Sequence, residues 1–394
     1  MDHIKNQINK LKQEIIDLRR DFHMYPELGF QEFETAKKVE VYLQNLGLKP
    51  EHSAKTGVVA VLDSEKPGPC LMLRADMDAL PITEKNQISY KSKNEGIMHA
   101  CGHDAHMAML LVAAKILTDN KALFQGKIKF IFQPNEEIAG AVKMIEEGVL
   151  ENPKVDAVVG IHIWSLIPTG RLSITPGVVM GGLDVFKMRI KGKGGHTGYP
   201  HEAIDPIITM ADIIQNVQSI QTREVNAQKP VIIMFGKINA GEKANIIPEE
   251  VELEGTIRFL QSTTPDSEYN PTKKFIRVCK SICETHQCTC DIEIEHENIP
   301  LINDENMVTL AKNAASKVFG RSDIIDHARY IAGEDFSEFS KKIPGVFIFL
   351  GCANSEKHST FPHHNPNFDI DEDVLTKGVE LHVKTALNYL NNPN

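Results

Sequence analysis

Residues 99–106 read HACGHDAH and bring three histidines, a cysteine and an aspartate into eight positions. A thiolate with imidazoles and carboxylates is a donor set for borderline divalent cations, and a cysteine beside a histidine is also the raw material of a thiol nucleophile. Further donors lie elsewhere: Asp76 and Asp78 in LRADMD, Glu136 and Glu137 in FQPNEE, His162 in GIHIW, and His363 and His364 in FPHHNP. Taken singly, each has an ordinary reading. A strand-end histidine is usually a satisfied polar residue, and a Glu-Glu pair is usually a solvated turn. Taken together they are the makings of a dinuclear hydrolytic site. Two divalent cations about 3.5–4 Å apart hold a bridging hydroxide and polarise a carbonyl. Cys101 as thiolate and Glu137 supply compensating charge, while neutral His103, His162 and one histidine of the C-terminal pair complete the shells. Adjacent glutamates on an extended segment point in different directions, so one can bind metal while its neighbour serves as general base. Asp78 is placed to orient a ligating imidazole. A Cys101 nucleophile would leave Glu136, Glu137, His162 and His364 without a purpose. A dinucleotide site would need G-x-G-x-x-G after a strand, and no such run occurs.

The surrounding elements explain how distant segments could meet. Ile4, Ile8, Leu11, Ile15, Leu18 and Phe22 recur at helical spacing, predicting one helix over 3–24, with a second over about 32–46. TGVVAVLD, PCLMLRADMD, GKIKFIFQP and VDAVVGIHIW read as buried strands, alternating with the helices AHMAMLLVAAKIL and AGAVKMIEEGVL. That alternation predicts a doubly wound α/β sheet, in which ligands bind beyond the carboxyl ends of the strands. The donor segments all follow such strand ends, with His162 closing its strand, or, for HACGHDAH, precede a helix. From residue 181 the strands become half-polar, and the order strand–helix–strand–strand–helix–strand predicts an inserted ferredoxin-like α+β domain over 181–297. The first domain is then 1–180 with 298–394.

Bulk properties narrow the function classes. The chain has 394 residues, enough for two domains, with 42% hydrophobic and 24% charged residues, as in a soluble globular protein. A net charge of −10 without basic clusters argues against nucleic acid. The N-terminus lacks the apolar core of a signal peptide, and no stretch approaches a membrane span. Seven cysteines without framework spacing predict a reduced, cytoplasmic protein with thiolates free for metal.

LRADMDALP, HACGHDAHMAMLL, FQPNEE, GIHIW, GKGGHTGYPHEAIDPI, NIIP, GTIRF, GEDFSEF and HHNPNFDIDE follow one another along nearly the whole chain. In these motifs the sequence resembles the amidohydrolase branch of the aminoacylase/carboxypeptidase G metallopeptidase superfamily, which includes hippurate hydrolases, N-acyl-amino-acid amidohydrolases, N-acetyl-diaminopimelate deacetylase and indole-acetyl-amino-acid hydrolases. The resemblance implies a catalytic domain with two divalent ions (zinc, manganese, nickel or cobalt) and an inserted lid through which the chain forms a homodimer or a higher homo-oligomer. It implies Cys101 as bridging ligand, His103, Glu137, His162 and His364 as terminal ligands, and Glu136 as general base. His364 is preferred to His363 because the family pattern is histidine, one residue, proline. It further implies His196 as an oxyanion stabiliser, and Asn245 and Arg258 as contacts to the substrate carboxylate or oxyanion region. Asn135 stands where relatives often carry a small residue, which places a possible change of acyl pocket beside the base.

The implied activity is hydrolysis of the amide of an N-acyl amino acid to a carboxylate and a free amino acid. A dipeptidase or carboxypeptidase on the same scaffold is the enzymatic alternative, and a non-catalytic metal-stabilised binding protein is the alternative of another class. CKSICETHQCTC at 279–290 carries four cysteines with spacing unlike a zinc ribbon, and reads as small apolar filler. His99 is expected to shape the pocket, His106 to lie behind the ligands or on a helix face, His23 to cap or pack between the first two helices, and Trp164 to wall the pocket or fill the core.

Overall fold

The computed structural model describes residues 2–261, 267 and 269–392. The chain divides into two compact units: residues 1–177, 302–328 and 335–394 form the first, and residues 178–301 with 329–334 the second. The return of 329–334 to the second unit carries no compositional mark that a sequence reading could use.

The first unit opens with α1 (Asp2–Lys10), α2 (Lys12–Met24) and α3 (Phe33–Asn45). The single helix expected over 3–24 is broken by a tightened turn, where the Leu11 N–H donates to the Ile8 carbonyl three residues back. Then come β1 (Glu51–Ser53), β2 (Gly57–Asp63), β3 (Cys70–Asp76), α4 (His103–Asp119), β4 (Lys127–Gln133), α5 (Gly140–Glu146), β5 (Ala157–Pro168) and β6 (Leu172–Ser173). Strand β7 (Gly177–Met180) leads the chain into the second unit, which contains β8 (Gly182–Lys191), β9 (Gly195–His196), α6 (Pro206–Asn216), β10 (Val231–Ala240), β11 (Ile246–Ile247), β12 (Glu250–Phe259), α7 (Pro271–Thr285) and β13 (Thr289–Asn298). The chain returns through β14 (Leu301–Asn303) to α8 (Glu305–Ala315), β15 (Ile324–Ile325), α9 (Phe336–Ser340), β16 (Gly345–Ala353) and α10 (Leu375–Asn391).

The first unit's sheet has the order β1-β2-β4-β3-β5-β16-β6-β15. Its four inner strands, β4, β3, β5 and β16, run parallel, and β2 and β6 join them antiparallel. The path leads from β3 outward to β4 and then back past β3 to β5. This reversal of direction makes a crevice at the carboxyl ends of β3 and β5. Helix α4 is apolar nearly all round and buried along nearly its whole length, packed on α2, α10 and β3.

A buried charge network fixes the start of α4. Arg19 of α2 is fully buried; its Nε donates to Asp104 at 2.8 Å, its Nη2 to Asp369 at 2.7 Å and its Nη1 to Glu372 at 3.2 Å. His23 ties α2 to the start of α4 rather than to the second helix expected from sequence. It bonds to Asp104 at 2.8 Å through Nδ1 and lies 3.3 Å from Glu84 through Nε2. Burial alone would lower His23, but the Asp104 charge and hydrogen bonds to Asp104 and Glu84 raise it above its ordinary value. Arg19→Met strips Asp104 of its cation in a site without water access. Urea unfolding should register a loss of about 3–5 kcal/mol; a loss below about 1 kcal/mol would show that the network does not hold α2 to α4.

In the second unit the four strands pair antiparallel in the order β10-β12-β8-β13, which is the ferredoxin-like arrangement. Its two helices begin alike. Asp205 and Asn270 accept backbone N–H bonds from the first turn, and Pro206 and Pro271 follow at the position where no N–H is needed. Strand β12 alternates buried and half-buried residues along its length, and its buried set joins Phe186, Ile213 and Phe275 in the unit's core.

Candidate metal centre

Three parallel strands and two loops deliver the donors. Arg74 of β3 pairs with Gly160 of β5, so Asp76 and His162 stand level two residues further on. His162 is not the end of its strand, as the sequence reading had it. Strand β5 continues to Pro168 because β16 still pairs with it there, at Phe349↔His162 and Gly351↔Trp164, after β3 has stopped. Strand β4 ends at Gln133 and its loop presents Glu136 and Glu137. The loop before α4 turns at Gly102, whose φ of +92° is a conformation that suits glycine; Cys101 and His103 flank it. The His364 N–H donates to the Ala100 carbonyl at 2.9 Å, which ties the C-terminal loop to the HACGHDAH segment.

The donor atoms converge. Cys101, Glu137 and His364 present ligand atoms within 4.8 Å of one another; so do His103, Glu136 and Glu137, and so do Asp76, His103, His106 and His162. Shared members make these one continuous cluster. Cys101 Sγ lies 3.6 Å from His162 Nε2, His364 Nε2 lies 3.2 Å from Glu137 Oε1, and His103 Nε2 lies 3.8 Å from Glu136 Oε2.

The imidazoles are aimed. His103 Nδ1 donates to the Asp78 carbonyl at 2.8 Å and lies 3.3 Å from its carboxylate, while the other Asp78 oxygen accepts the Glu137 N–H at 3.1 Å. Among the described residues His103 Nε2 has no hydrogen-bond partner, although it is buried. His162 Nδ1 donates to the Ile163 carbonyl at 2.6 Å, leaving Nε2 toward Cys101. One nitrogen tethered and the other open is how a protein prepares a histidine ligand. Of the C-terminal pair, His363 is committed elsewhere: Nε2 donates to the Ile163 carbonyl at 2.9 Å, Nδ1 lies 3.2 Å from Ser165 Oγ, and the ring packs on Trp164.

The electrostatics favour a cation. Burial alone would lower His103, but Asp76, Asp78 and Glu137 raise it to about 10. Burial would raise Glu137, yet His364 and His103 hold it below the carboxylate range. Burial with neighbouring His106 and His363 pushes His162 well down, so it stays neutral and able to ligate. A thiol, carboxylates and open imidazole nitrogens around an excess of negative charge fit two borderline divalent ions.

A hydrogen-bonded frame lies behind these donors; His106 is expected there, as the alternative to a helix face, whereas Arg74, Gln133 and Asp335 are not identified from sequence. His106 Nδ1 donates to Asp76 at 2.5 Å while its Nε2 accepts the Ile163 N–H at 2.8 Å. Arg74 donates to Asp76 at 2.6 Å, to Gln133 at 2.9 Å and to Asp335 at 3.0 Å, and Asp335 accepts the Ala141 N–H at the start of α5. An arginine in the middle of an otherwise apolar buried strand was the one signal available. Asn135, buried beside Glu136, has a left-handed backbone at φ +53°, which asparagine adopts more readily than alanine; its N–H donates to buried Glu32 at 2.9 Å. His99 is buried with no hydrogen-bond partner at either nitrogen among the described residues.

The remaining sequence candidates belong to the second unit. His196 is exposed on β9, where its Nδ1 accepts the Gly198 N–H at 2.9 Å. Strand β9 pairs with β11, and the Thr197 N–H donates to the Asn245 carbonyl, so His196 and Asn245 share one hairpin-like patch. Arg258 lies half-buried on β12 opposite Leu183 and Ile232.

Comparison with known proteins adds independent findings. Residues 72–388 match peptidase family M20/M25/M40. The chain is 38% identical over 398 residues to thermostable carboxypeptidase 1 of Saccharolobus solfataricus, covering 99% of each chain. It is 40% identical over 387 residues to an N-acetyl-L-cysteine deacetylase of Bacillus subtilis, covering 97% of this chain and 90% of that one. A solved Bacillus subtilis structure, titled a dinuclear metal binding peptidase from the M20 family, superposes with a TM-score of 0.84 at 32% identity, covering 97% of this chain and 99% of that one.

Proposed function

The chain belongs to peptidase family M20/M25/M40, and from that premise we propose that it is a metal-dependent hydrolase of N-acyl amino acids. The observation that carries the reading is the single cluster of Cys101, His103, Glu136, Glu137, His162 and His364 at the sheet's carboxyl edge. Cys101, His103, Glu137, His162 and His364 would hold the two ions; zinc, manganese, nickel and cobalt would all suit this mixed set. Bound there, the ions supply Lewis acidity to the scissile carbonyl and acidity to a water. Glu136 takes the proton of the attacking water and returns it to the departing amide nitrogen, so that a carboxylate and a free amino acid leave. Asp78 keeps His103 and the Glu137 backbone in place during this cycle. His196 donates to the oxyanion, and Asn245 and Arg258 recognise the substrate carboxylate or the oxyanion region. The second unit is the lid and the dimerisation surface, and the protein works in the cytoplasm. Among the described residues no helix is long and apolar enough to cross a membrane.

Two related names, a deacetylase and a carboxypeptidase, make substrate choice the decisive test. With divalent metal added, N-acetylmethionine and hippurate should exceed an unblocked dipeptide in kcat/KM by at least about tenfold, because a pocket for a neutral acyl group leaves a free ammonium unpaired. The reverse order would select the dipeptidase or carboxypeptidase reading. Bound metals without any amide cleavage would select the non-catalytic one.

A further inference from the structure

The proposed hydrolytic site uses none of the four cysteines at 279–290. Cys279 and Cys283 lie one helical turn apart on the face of α7 that packs into the second unit's core. After α7 the chain reverses through Gln287, at φ +61°, and the Cys288 N–H donates to the Cys283 carbonyl at 2.8 Å. It then enters β13, an edge strand of the sheet. Strand β13 alternates, so Cys290, Ile292 and Ile294 pack against the core while Thr289, Asp291 and Glu293 are exposed. This reversal returns Cys290 to the same core that holds Cys283, close enough for each thiol to shift the other, Cys283 upward and Cys290 downward. The other two sulfurs are occupied differently. Cys279 is wholly buried, which keeps its thiol protonated, and Cys288 Sγ lies 3.2 Å from Thr209 Oγ1. Of the four, Cys290 alone is partly exposed.

We propose that Cys290 and Cys283 form a peroxide-oxidisable dithiol, with Cys290 attacking and Cys283 resolving, that closes as a disulfide between β13 and α7. The Cys290 thiolate attacks one peroxide oxygen and the O–O bond breaks, giving a Cys290 sulfenic acid and hydroxide, which is protonated to water. The Cys283 sulfur then attacks the sulfenic sulfur, its proton passes to the departing hydroxide, and a second water leaves as the S–S bond forms. Two thiols are oxidised to one disulfide and one peroxide is reduced to two waters. Neighbouring Cys283 lowers Cys290, burial opposes it, and Lys280 lowers it further against Asp291, to about 7. A thiolate is therefore present near neutral pH, which is what selects one cysteine among several for oxidation. In a reducing compartment such a bond is transient, which suits a reversible modification rather than a structural staple.

The test is a peptide map of the full-length protein. The reduced protein is titrated with hydrogen peroxide, denatured, alkylated and digested. The first equivalent should give a linked peptide containing Cys283 and Cys290, reversed by dithiothreitol, while Cys279, Cys288 and Cys352 remain alkylated. Cys283→Ser should leave Cys290 oxidised beyond the sulfenic state. Cys290→Ser should slow oxidation of Cys283 by about tenfold or more. The proposal fails if Cys283 and Cys290 are both still alkylated after Cys279 or Cys288 has oxidised, or if Cys290 links to another cysteine. Peptide mass is the readout, so the outcome is independent of whether the protein hydrolyses acyl amino acids.

Discussion

Glu136→Gln is expected to keep both metal ions and to lose about 10²–10⁴-fold in kcat, with KM little changed. The substitution preserves size and one hydrogen-bonding oxygen, but an amide cannot accept the proton of water. Glu136 is suited to this role by its position: its carboxylate is 3.8 Å from the open nitrogen of His103, and it neighbours Glu137, whose carboxylate is held beside His364. Glu137→Gln is the informative partner. It removes charge from a proposed metal ligand, so it should lower metal content as well as turnover. Metal analysis and steady-state kinetics on both variants separate the roles. Near-normal turnover by Glu136→Gln, or loss of metal from it equal to that of Glu137→Gln, would overturn the assignment of Glu136 as base.

Strand period places the two glutamates on an extended segment, but in the structure they lie in a turn closed by the Ala139 and Gly140 N–H groups donating to the Asn135 carbonyl, so side-chain alternation along a strand does not explain how they would divide the work. Sequence periods do reach the fold. Alternating buried strands and helices give a parallel centre, and parallel strands end on one edge, so Asp76, Glu136 and the 99–106 segment are brought together by topology alone. The β8–α6–β10–β12–α7–β13 order similarly dictates the ferredoxin-like sheet of the second unit. What the sequence hides is pairing across long separations. Arg74 and Asp335 are 261 positions apart, and Arg19 and Asp104 are 85 apart; nothing local to either residue names its partner. The length of β5 was misread for a related reason. The chain after His162 looks like a strand end beside β3, but it keeps its ladder because of β16, which lies nearly two hundred residues later. Asn135 is intelligible only once its backbone conformation is known.

Cys101→Ala should abolish tight metal binding and reduce hydrolysis by about 10³-fold or more, since the several kcal/mol of Lewis-acid stabilisation disappears with the ions. The reason is the loss of a donor. Cys101 is the only sulfur in a cluster whose other donors are carboxylates and imidazoles, and its Sγ sits 3.6 Å from His162 Nε2 while sharing a donor group with Glu137 and His364. Removing it deletes the sulfur donor that lies beside both His162 and the Glu137–His364 pair, and the proposed ligands His103, Glu137, His162 and His364 would be left to hold two ions with four groups. The fold should survive. Ala100 and Gly102 on either side keep their backbone contacts, the lost atom is one sulfur, and the Arg19–Asp104 network just beyond is untouched. A thermal melt close to that of the metal-free wild type would separate loss of the site from loss of the structure. Cys101→Asp sharpens the argument, because a carboxylate restores a donor at this position while replacing a soft donor by a hard one. It should recover metal binding over Cys101→Ala and shift preference from zinc toward manganese. If Cys101→Ala still holds two ions per chain and cleaves acyl amino acids at the wild-type rate, the thiolate is not a ligand and the cluster must be rebuilt around Asp76, His103, His106 and His162.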